Sequence, residues 1–173
     1  RPRDLVLSDS GESAREKQNK LQVAIANHYK ALKQEVDELN DANLPVIATG
    51  HLTALGVKTS SSERDIYIGT LEAFPSSEFP EFDYIALGHI HRPQRVGNTE
   101  HIRYSGSLLK YSFSEHLQQK SVTLVELDQN GSAAINEHIL APKRDMRCID
   151  GYLDDILQAA QCDNNKDDYL LVR

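Results

Sequence analysis

The chain has 173 residues, of which 39% are hydrophobic and 26% are charged, and its formal net charge is -7 at pH 7. This length and composition predict an ordinary globular protein that is long enough to bury a core. The negative charge excludes binding to nucleic acid by overall charge alone, because the phosphate backbone would repel the protein. We find no signal peptide and no apolar run of membrane-spanning length, so we expect a soluble, cytoplasmic protein without a membrane partner.

The two cysteines, Cys148 and Cys162, match no CxxC motif and are too few for a disulfide framework, so we expect both to be reduced. The chain starts Arg1-Pro2-Arg3, and its one methionine is Met146. A natural N terminus normally shows Met or a small residue exposed by its removal. We therefore expect an internal piece of a longer protein, with part of the active site upstream.

A long helix is predicted near the start of the chain. Ser13 and Glu16 have the spacing of a capping box, and the pattern that follows extends to about Asn40. Apolar residues recur there at steps of three and four and form one stripe: Leu21, Ile25, Tyr29, Leu32, Val36 and Leu39. We expect this helix to be structural. We expect His28, next to Tyr29, to lie at the boundary of the apolar stripe rather than to bind a ligand.

Short apolar runs at residues 44–48 and 83–87 predict two buried strands, with a further strand-like run at residues 65–68. Two hairpins are predicted after them. One joins residues 95–96 to residues 101–104, and the other joins residues 121–127 to residues 133–140 through Asn130-Gly131. After Pro142 a strand from Met146, a helix at residues 154–161 and a strand at residues 169–172 predict the start of a second, smaller unit.

Each of the first two predicted strands ends in the same five-residue motif, Ile-Ala-x-Gly-His. Ile47-Ala48-Thr49-Gly50-His51 is followed by Ile85-Ala86-Leu87-Gly88-His89, with His91 two residues further on. Neighbouring parallel strands of an open sheet place such C-terminal residues together. In an extended segment His89 and His91 would also point to the same side. We therefore expect the three imidazoles to lie close together. A bound metal ion is the best explanation for such a cluster.

Imidazoles alone are compatible with zinc, manganese, iron or nickel. A hydrolytic centre with two metals also needs carboxylates that bridge the ions. The candidates in this chain are Asp65, Glu72 and Asp83, and we interpret all three as solvated surface groups. Nucleophile elbows and glycine-rich phosphate loops are absent from the sequence. The histidine set is thus present without its carboxylates, as a piece of a larger site would be.

Gly50-His51 followed by Gly88-His89-Ile90-His91 resembles the last two motifs of the calcineurin-like metallophosphoesterases. The similarity extends over residues 44–53, 64–71, 83–92 and 103–107. Within that superfamily, the chain resembles the DNA nuclease subunits that work with an SMC-like ATPase. It runs from residue 1 to about residue 140 and is weaker beyond that point.

The resemblance implies an α/β fold with two parts. Residues 1–142 would be the C-terminal part of the nuclease domain, which is half of a metallophosphoesterase-type β-sandwich flanked by helices. Residues 143–173 would begin a small α+β capping domain that binds DNA. The resemblance also implies two divalent metal ions, and Mn²⁺ is the metal it favours. His51 and His89 would bind one ion, and His91 would bind the other.

The implied activity is two-metal hydrolysis of double-stranded DNA, as an exonuclease and a hairpin or single-strand endonuclease in DNA repair, recombination and replication. The implied assembly is a homodimer of the nuclease subunit within a heterotetramer that contains the ATPase. The family's Asp-x-His, Gly-Asp-x-x-Asp and Gly-Asn-His-Asp motifs have no counterpart in this chain. No catalytic residue is therefore assigned, and we expect the chain alone to be inactive.

Basic residues cluster around the second histidine motif. Residues 88–110 contain four basic side chains and one acidic side chain, Glu100. We expect Arg92 and Arg95 to contact DNA phosphate, although solvated side chains are an equally good interpretation. The complete set of candidate DNA contacts is Arg92, Arg95, Arg103, Tyr104 and Ser107.

Two alternatives remain open. The first is a phosphoesterase of the same superfamily that acts on small phosphate esters. The second is an inactive folding or docking module that makes dimer or ATPase contacts.

Overall fold

The computed structural model describes Leu5, residues 11–61, Glu63 and residues 73–173. The predicted strand at residues 65–68 lies outside these residues. Helix α1 spans Ala14–Leu39. Its capping box is confirmed: the Ser13 hydroxyl accepts a hydrogen bond from the Glu16 amide, and the Glu16 carboxylate accepts one from the Ser13 amide at 2.8 Å. The Ser13 hydroxyl also donates to the Glu16 carboxylate, and this hydrogen bond together with that from the Ser13 amide lowers the pKa of Glu16.

Only the first half of the apolar stripe on α1 enters the core. Leu21, Ile25 and Tyr29 are buried, whereas the later members of the stripe are exposed: Leu32, Val36 and Leu39. The buried half packs against a core whose centre is a mixed sheet of four strands. Tyr29 contacts Phe79 there, edge to face, with ring centroids 4.8 Å apart.

The four strands of the central sheet are β1 (Ile47–His51), β2 (Tyr84–Gly88), β3 (Gln94–Arg95) and β4 (Ile102–Tyr104). Their spatial order is β1-β2-β4-β3. Strands β1, β2 and β4 are parallel, and β3 pairs antiparallel with β4, which confirms the first predicted hairpin.

The first strand begins later than its apolar run predicts. The side chain of Asn40, the C-cap residue of α1, bonds both the amide and the carbonyl of Leu44, so Leu44 is held in the turn that follows the helix. The Asp83 carboxylate then accepts a hydrogen bond from the Val46 amide at 2.6 Å. Regular pairing with β2 starts only at Ile47 and continues through His51. Asp83 is therefore a structural group at the start of the sheet.

The second predicted hairpin is confirmed as β5 (Ser121–Leu127) and β6 (Ala133–Ile139), which pair antiparallel. The Asp128 carboxylate caps its turn by accepting hydrogen bonds from the amides of Asn130 and Ser132, each at 2.8 Å. The Thr123 amide donates to the Ser105 hydroxyl at 3.2 Å, which connects this ribbon to the segment after β4.

The last unit consists of β7 (Met146–Ile149), α2 (Leu153–Ala160) and β8 (Tyr169–Val172), and its two strands are parallel. Arg147 stabilises it through the carboxylates of Asp163 and Asp168, each at 2.7 Å. The described helices and strands confirm the α/β class. The β-sandwich and the domain boundary at residue 142 stay predictions. Within the described ranges, no helix is both long and apolar enough to cross a membrane.

Candidate metal centre

The register between β1 and β2 brings two of the predicted histidines together. His51 pairs with Gly88 in the parallel ladder, so His89 follows directly beside it. The two imidazole rings lie at the C-terminal edge of the sheet with centroids 5.5 Å apart and planes at 61°. The prediction that both strands deliver an imidazole to one edge is confirmed.

Glycines make this close approach possible. A Cβ atom at Gly88 would lie 2.9 Å from Nδ1 of His51, which is closer than a carbon atom can approach a ring nitrogen without displacing it. A Cβ atom at Gly50 would collide with the Tyr29 hydroxyl. That hydroxyl donates to the Thr49 carbonyl at 3.1 Å, and burial raises the pKa of Tyr29. The repeated glycine thus makes room for neighbouring side chains.

His89 itself has an unusual backbone. Its φ is 99°, a conformation that residues with a Cβ atom rarely adopt. Strain of this kind is characteristic of functional sites, where the surrounding structure enforces it. It also corrects one prediction, because the chain is not extended at this point. The argument that His89 and His91 point to the same side of a strand is therefore wrong.

His91 is fixed separately from the other two histidines. Its amide donates to the Glu63 carboxylate at 2.8 Å, and its carbonyl accepts from the Ser107 amide at 3.0 Å and from the Lys120 ammonium at 2.9 Å. Its ring lies against Tyr111 with centroids 5.2 Å apart. Backbone and ring are thus both constrained by contacts from distant parts of the chain.

The Nδ1 atom of His91 lies 3.0 Å from Oε1 of Glu115. The Glu115 side chain is completely buried, and its Oε2 atom is 2.7 Å from the ammonium of Lys120, whose side chain is 4% exposed. The pair is therefore a buried ion pair directly beside a candidate ligand. Sequence patterns gave no sign of Glu115, Lys120 or Glu63, since each lies at least 24 residues from His91 and in no motif.

The three imidazoles do not meet at one point. Among the described residues, no group of three or more His, Cys, Asp or Glu side chains is arranged to hold a metal ion. His51 and His89 are adjacent, and His91 is turned toward Glu115. Asp65 and Glu72 lie outside the described residues. The imidazoles of His51 and His89 lie at the edge of the sheet, and nitrogen ligands of this kind suit a divalent transition metal.

Tyr104 and Ser107 have structural contacts. Tyr104 is 1% exposed, its hydroxyl donates to the Leu52 carbonyl, and it accepts from the Ala54 amide, both at 2.8 Å. Burial raises its pKa to about 12. A side chain this deeply buried cannot touch DNA, so the prediction that Tyr104 contacts DNA is wrong. The Ser107 hydroxyl donates to the carbonyls of His91 and Leu109 and so supports the loop that contains His91.

Basic side chains do converge beside this loop. An open cleft of ≈ 550 Å³ is lined by Lys58, Arg92, Arg95 and Arg103, together with two glutamates, Glu100 and Glu137. The Arg103 side chain is only 11% exposed and is paired with both glutamates. Arg103 is therefore mainly a link between the central sheet and β6. Arg92 and Arg95 are exposed at the cleft, and Lys58 is a basic residue that was not predicted from the sequence.

Three relatives show what the chain is similar to, and all three are named as the D subunits of SbcCD nucleases. The protein from Escherichia coli (strain K12) is 48% identical over 143 residues, which are 82% of this chain and 36% of the relative. Those from Staphylococcus epidermidis and Staphylococcus saprophyticus are 39% and 38% identical over 150 residues, which cover 84% and 85% of this chain. The chain thus spans 36–39% of the length of these relatives. No protein-family profile matches it.

Proposed function

The chain belongs to the same family as the D subunits of SbcCD nucleases over most of its length, and we propose that it supplies the histidine half of a two-metal nuclease centre. The observation that carries this proposal is the meeting of His51 and His89 across the β1–β2 register. His89 has a strained backbone and lies beside a second histidine at the ligand-binding edge of a parallel sheet, and such strain is characteristic of functional sites.

In this proposal His51 and His89 bind one divalent ion and His91 binds the second, with Mn²⁺ as the expected metal. Two such ions, about 3.5–4 Å apart, would activate a water and neutralise the charge that develops on a phosphodiester. The separation of the imidazoles into an adjacent pair and a single ring suits two ions better than one. The contribution of this chain is to hold the imidazole nitrogens of the three histidines in fixed directions. The bridging carboxylates must come from outside the described residues.

The substrate in this proposal is double-stranded DNA. The cleft next to His91 presents Arg92, Arg95 and Lys58, and guanidinium and ammonium groups of this kind bind phosphate oxygens. Arg95 also pairs with Glu100, so DNA would compete with that carboxylate for it. Arg92, which follows His91 directly in the chain, is our first choice for a phosphate contact close to the metals.

The name of the relatives describes one component of a complex, SbcCD. We extend this to a proposed partner, an SMC-like ATPase of the SbcC type, and to a homodimer of the nuclease subunit in a heterotetramer. The described residues add one feature that suits further contacts. The C-terminal half of α1 exposes Leu32, Val36 and Leu39 on the side that continues its buried stripe.

A segment exchange tests the function. The 143-residue matching segment of the E. coli relative would be replaced by this chain, and the hybrid complex would be assayed with Mn²⁺ on duplex DNA. The proposal predicts DNA cleavage that is lost when His89→Ala is added. Glu126→Gln, at an exposed position on β5, serves as the matched surface control and is expected to leave cleavage unchanged.

Two other results would contradict the proposal. Hydrolysis of small phosphate esters without cleavage of DNA would favour the small-ester phosphoesterase. A hybrid that assembles with its ATPase partner and cleaves neither substrate would favour the docking module.

A further inference from the structure

We propose that Glu115 is a positioning residue that fixes the tautomer and the direction of the His91 ring, so that Nε2 of His91 is the atom presented to a metal. This inference rests on the proposed function, because it assumes that His91 is a ligand. It concerns residues that lie in none of the recognised histidine motifs, and it is argued from the contacts of one buried carboxylate.

Glu115 is surrounded by hydrogen-bond donors. Its Oε1 atom faces Nδ1 of His91 at 3.0 Å and accepts from the Ser60 hydroxyl at 3.2 Å. Its Oε2 atom faces the Lys120 ammonium at 2.7 Å and accepts from the Tyr111 amide at 3.3 Å. Three donors whose direction does not depend on a tautomer, from Ser60, Tyr111 and Lys120, thus converge on a side chain that has no exposure to solvent. The Lys120 ammonium at 2.7 Å favours the ionised form of this carboxylate, and a carboxylate in that form acts only as an acceptor.

The consequence for His91 follows from simple proton counting. An ionised carboxylate has no proton to give, so Nδ1 of a neutral His91 must itself carry the proton that forms this hydrogen bond. The basic lone pair of the neutral ring is then on Nε2, which lies on the opposite side of the imidazole from Glu115. A carboxylate behind a ligand histidine is the usual way in which proteins select the coordinating nitrogen and aim it.

Lys120 has two roles in this arrangement. Its ammonium compensates the buried charge of Glu115 and also donates to the His91 carbonyl at 2.9 Å. The same cation therefore fastens the carboxylate and the backbone of the histidine that the carboxylate orients. The Glu63 carboxylate holds the His91 amide at 2.8 Å from the other side. The ring and the main chain of His91 are locked by one connected set of contacts, which is what a ligand with an exact direction requires.

A purely structural ion pair is the competing explanation for Glu115 and Lys120. Such a pair would stabilise the loop between β4 and β5 without any effect on the state of the imidazole. The two explanations differ in the tautomer of His91, which NMR spectroscopy of ¹⁵N-labelled histidine reports directly in the metal-free chain. At about pH 8.5 free imidazoles are neutral, so the spectrum distinguishes the two neutral tautomers.

The first measurement needs no substitution. We expect His91 in the wild-type chain to be protonated on Nδ1. Glu115→Gln should then shift the ring toward the Nε2-protonated tautomer, because the glutamine oxygen will accept from Lys120 and its amide group will donate to Nδ1 of His91. A wild-type ring protonated on Nε2, or a tautomer unaffected by Glu115→Gln, would overturn the inference.

A second variant guards against loss of folding. Glu115→Asp keeps the charge opposite Lys120 but withdraws the carboxylate from His91 by one methylene group. Glu126→Gln is the matched surface control. In the segment-exchange complex, Glu115→Asp should weaken Mn²⁺ binding about 10–100-fold, as is usual when the partner of a ligand histidine is removed. Unchanged Mn²⁺ affinity in a folded Glu115→Asp complex would overturn the inference.

The two proposals fail in distinguishable ways. If the segment-exchange complex without further substitutions binds no Mn²⁺, the proposed function is wrong. The His91 tautomer then reports only a structural contact. If the complex binds Mn²⁺ through the histidines but neither Glu115 variant alters the tautomer or the affinity, only the positioning role of Glu115 is wrong.

Discussion

The candidate centre is positioned in two different ways on its two sides. His51 and His89 are placed by the backbone, through the register of β1 and β2 and through glycines that leave room for a ring. His91 is placed by side chains from remote segments, above all Glu115 and Lys120. The first arrangement follows from strand pairing and can be recognised locally. The second depends on a buried ion pair that forms only in the folded protein.

The difference has a consequence for how each side should respond to substitution. A backbone-positioned pair is sensitive to added atoms at its glycines and to the loss of a ring. A side-chain-positioned ring is sensitive to the length and charge of its partner. The following predictions separate these sensitivities, beginning with the largest expected effect.

Substitution of His89 should give the largest change. His89→Ala and His89→Gly both remove the imidazole, so each should lower Mn²⁺ affinity in the segment-exchange complex by on the order of 100-fold, at the upper end of the effects seen around metal ligands. Because φ at this residue is 99°, the glycine variant should also be about 1 kcal/mol more stable to unfolding than the alanine variant. Calorimetric titration and urea unfolding measure the two effects. Equal stability of the variants would contradict the strain at His89.

Tyr104→Phe should destabilise the fold without removing any ligand. The substitution leaves the Ala54 amide and the Leu52 carbonyl without their partner in a buried site, which costs about 1–3 kcal/mol. The segment that these bonds fasten directly follows His51. Urea unfolding measures the loss, with Tyr152→Phe as the matched control because Tyr152 is 84% exposed. Equal losses in the two variants would show that the Tyr104 hydroxyl has no special role.

Gly88→Ala should disturb His51 while the fold persists. The added methyl group would lie 2.9 Å from Nδ1 of His51, so the ring must turn away from its position beside His89. We expect a loss of Mn²⁺ affinity of about tenfold, similar to the loss of a supporting contact. Gly151→Ala is the control, since its methyl group would lie at an ordinary 3.7 Å from Ile156. Unchanged affinity in Gly88→Ala would mean that the position of the His51 ring is not critical.

The smallest effect concerns the contact between the last unit and the rest of the chain. Burial opposes ionisation of Asp145, but its hydrogen bonds to Lys110 and to the Met146 amide lower its pKa below the ordinary 3.8. Since the folded-state pKa is the lower one, the resulting stability is present above pH 3.8 and is lost as the pH falls through the folded-state value. A partly exposed pair of this kind contributes about 0.5 kcal/mol or less.

Thermal unfolding between about pH 3 and pH 7 measures this contribution. The difference between the wild-type chain and Asp145→Asn should be present at neutral pH and should shrink in acid, whereas Asp41→Asn, at an exposed position, should show no such trend. A difference that grows in acid would contradict the ionised Asp145–Lys110 pair.

Local patterns in the sequence were sufficient for most of the fold. The capping box at Ser13, the turn at Asn130-Gly131 and the strands that end in Gly-His each depend on residues a few positions apart, so they can be recognised without the tertiary structure. The C-terminal half of α1 was less predictable. Its apolar periodicity is regular, but the described residues place no core against Leu39.

The missing parts of the candidate site are long-range contacts. Glu115 lies 24 residues from His91 and Lys120 lies 29 residues from it, in a loop that has no periodic pattern. The positive φ of His89 could not be expected either, because it contradicts the propensity of the residue and results from its surroundings. Tyr104 was predicted to contact DNA, although alternation along β4 turns it into the core.

A titration with Mn²⁺ tests the central claim most directly. The wild-type chain would be compared by calorimetry with the triple variant His51→Ala/His89→Ala/His91→Ala, after both are shown to be folded. We predict saturable binding by the wild-type chain that is absent from the triple variant. Equal binding by the two proteins, or binding by neither, would contradict the account of these histidines as a preformed half of a metal centre.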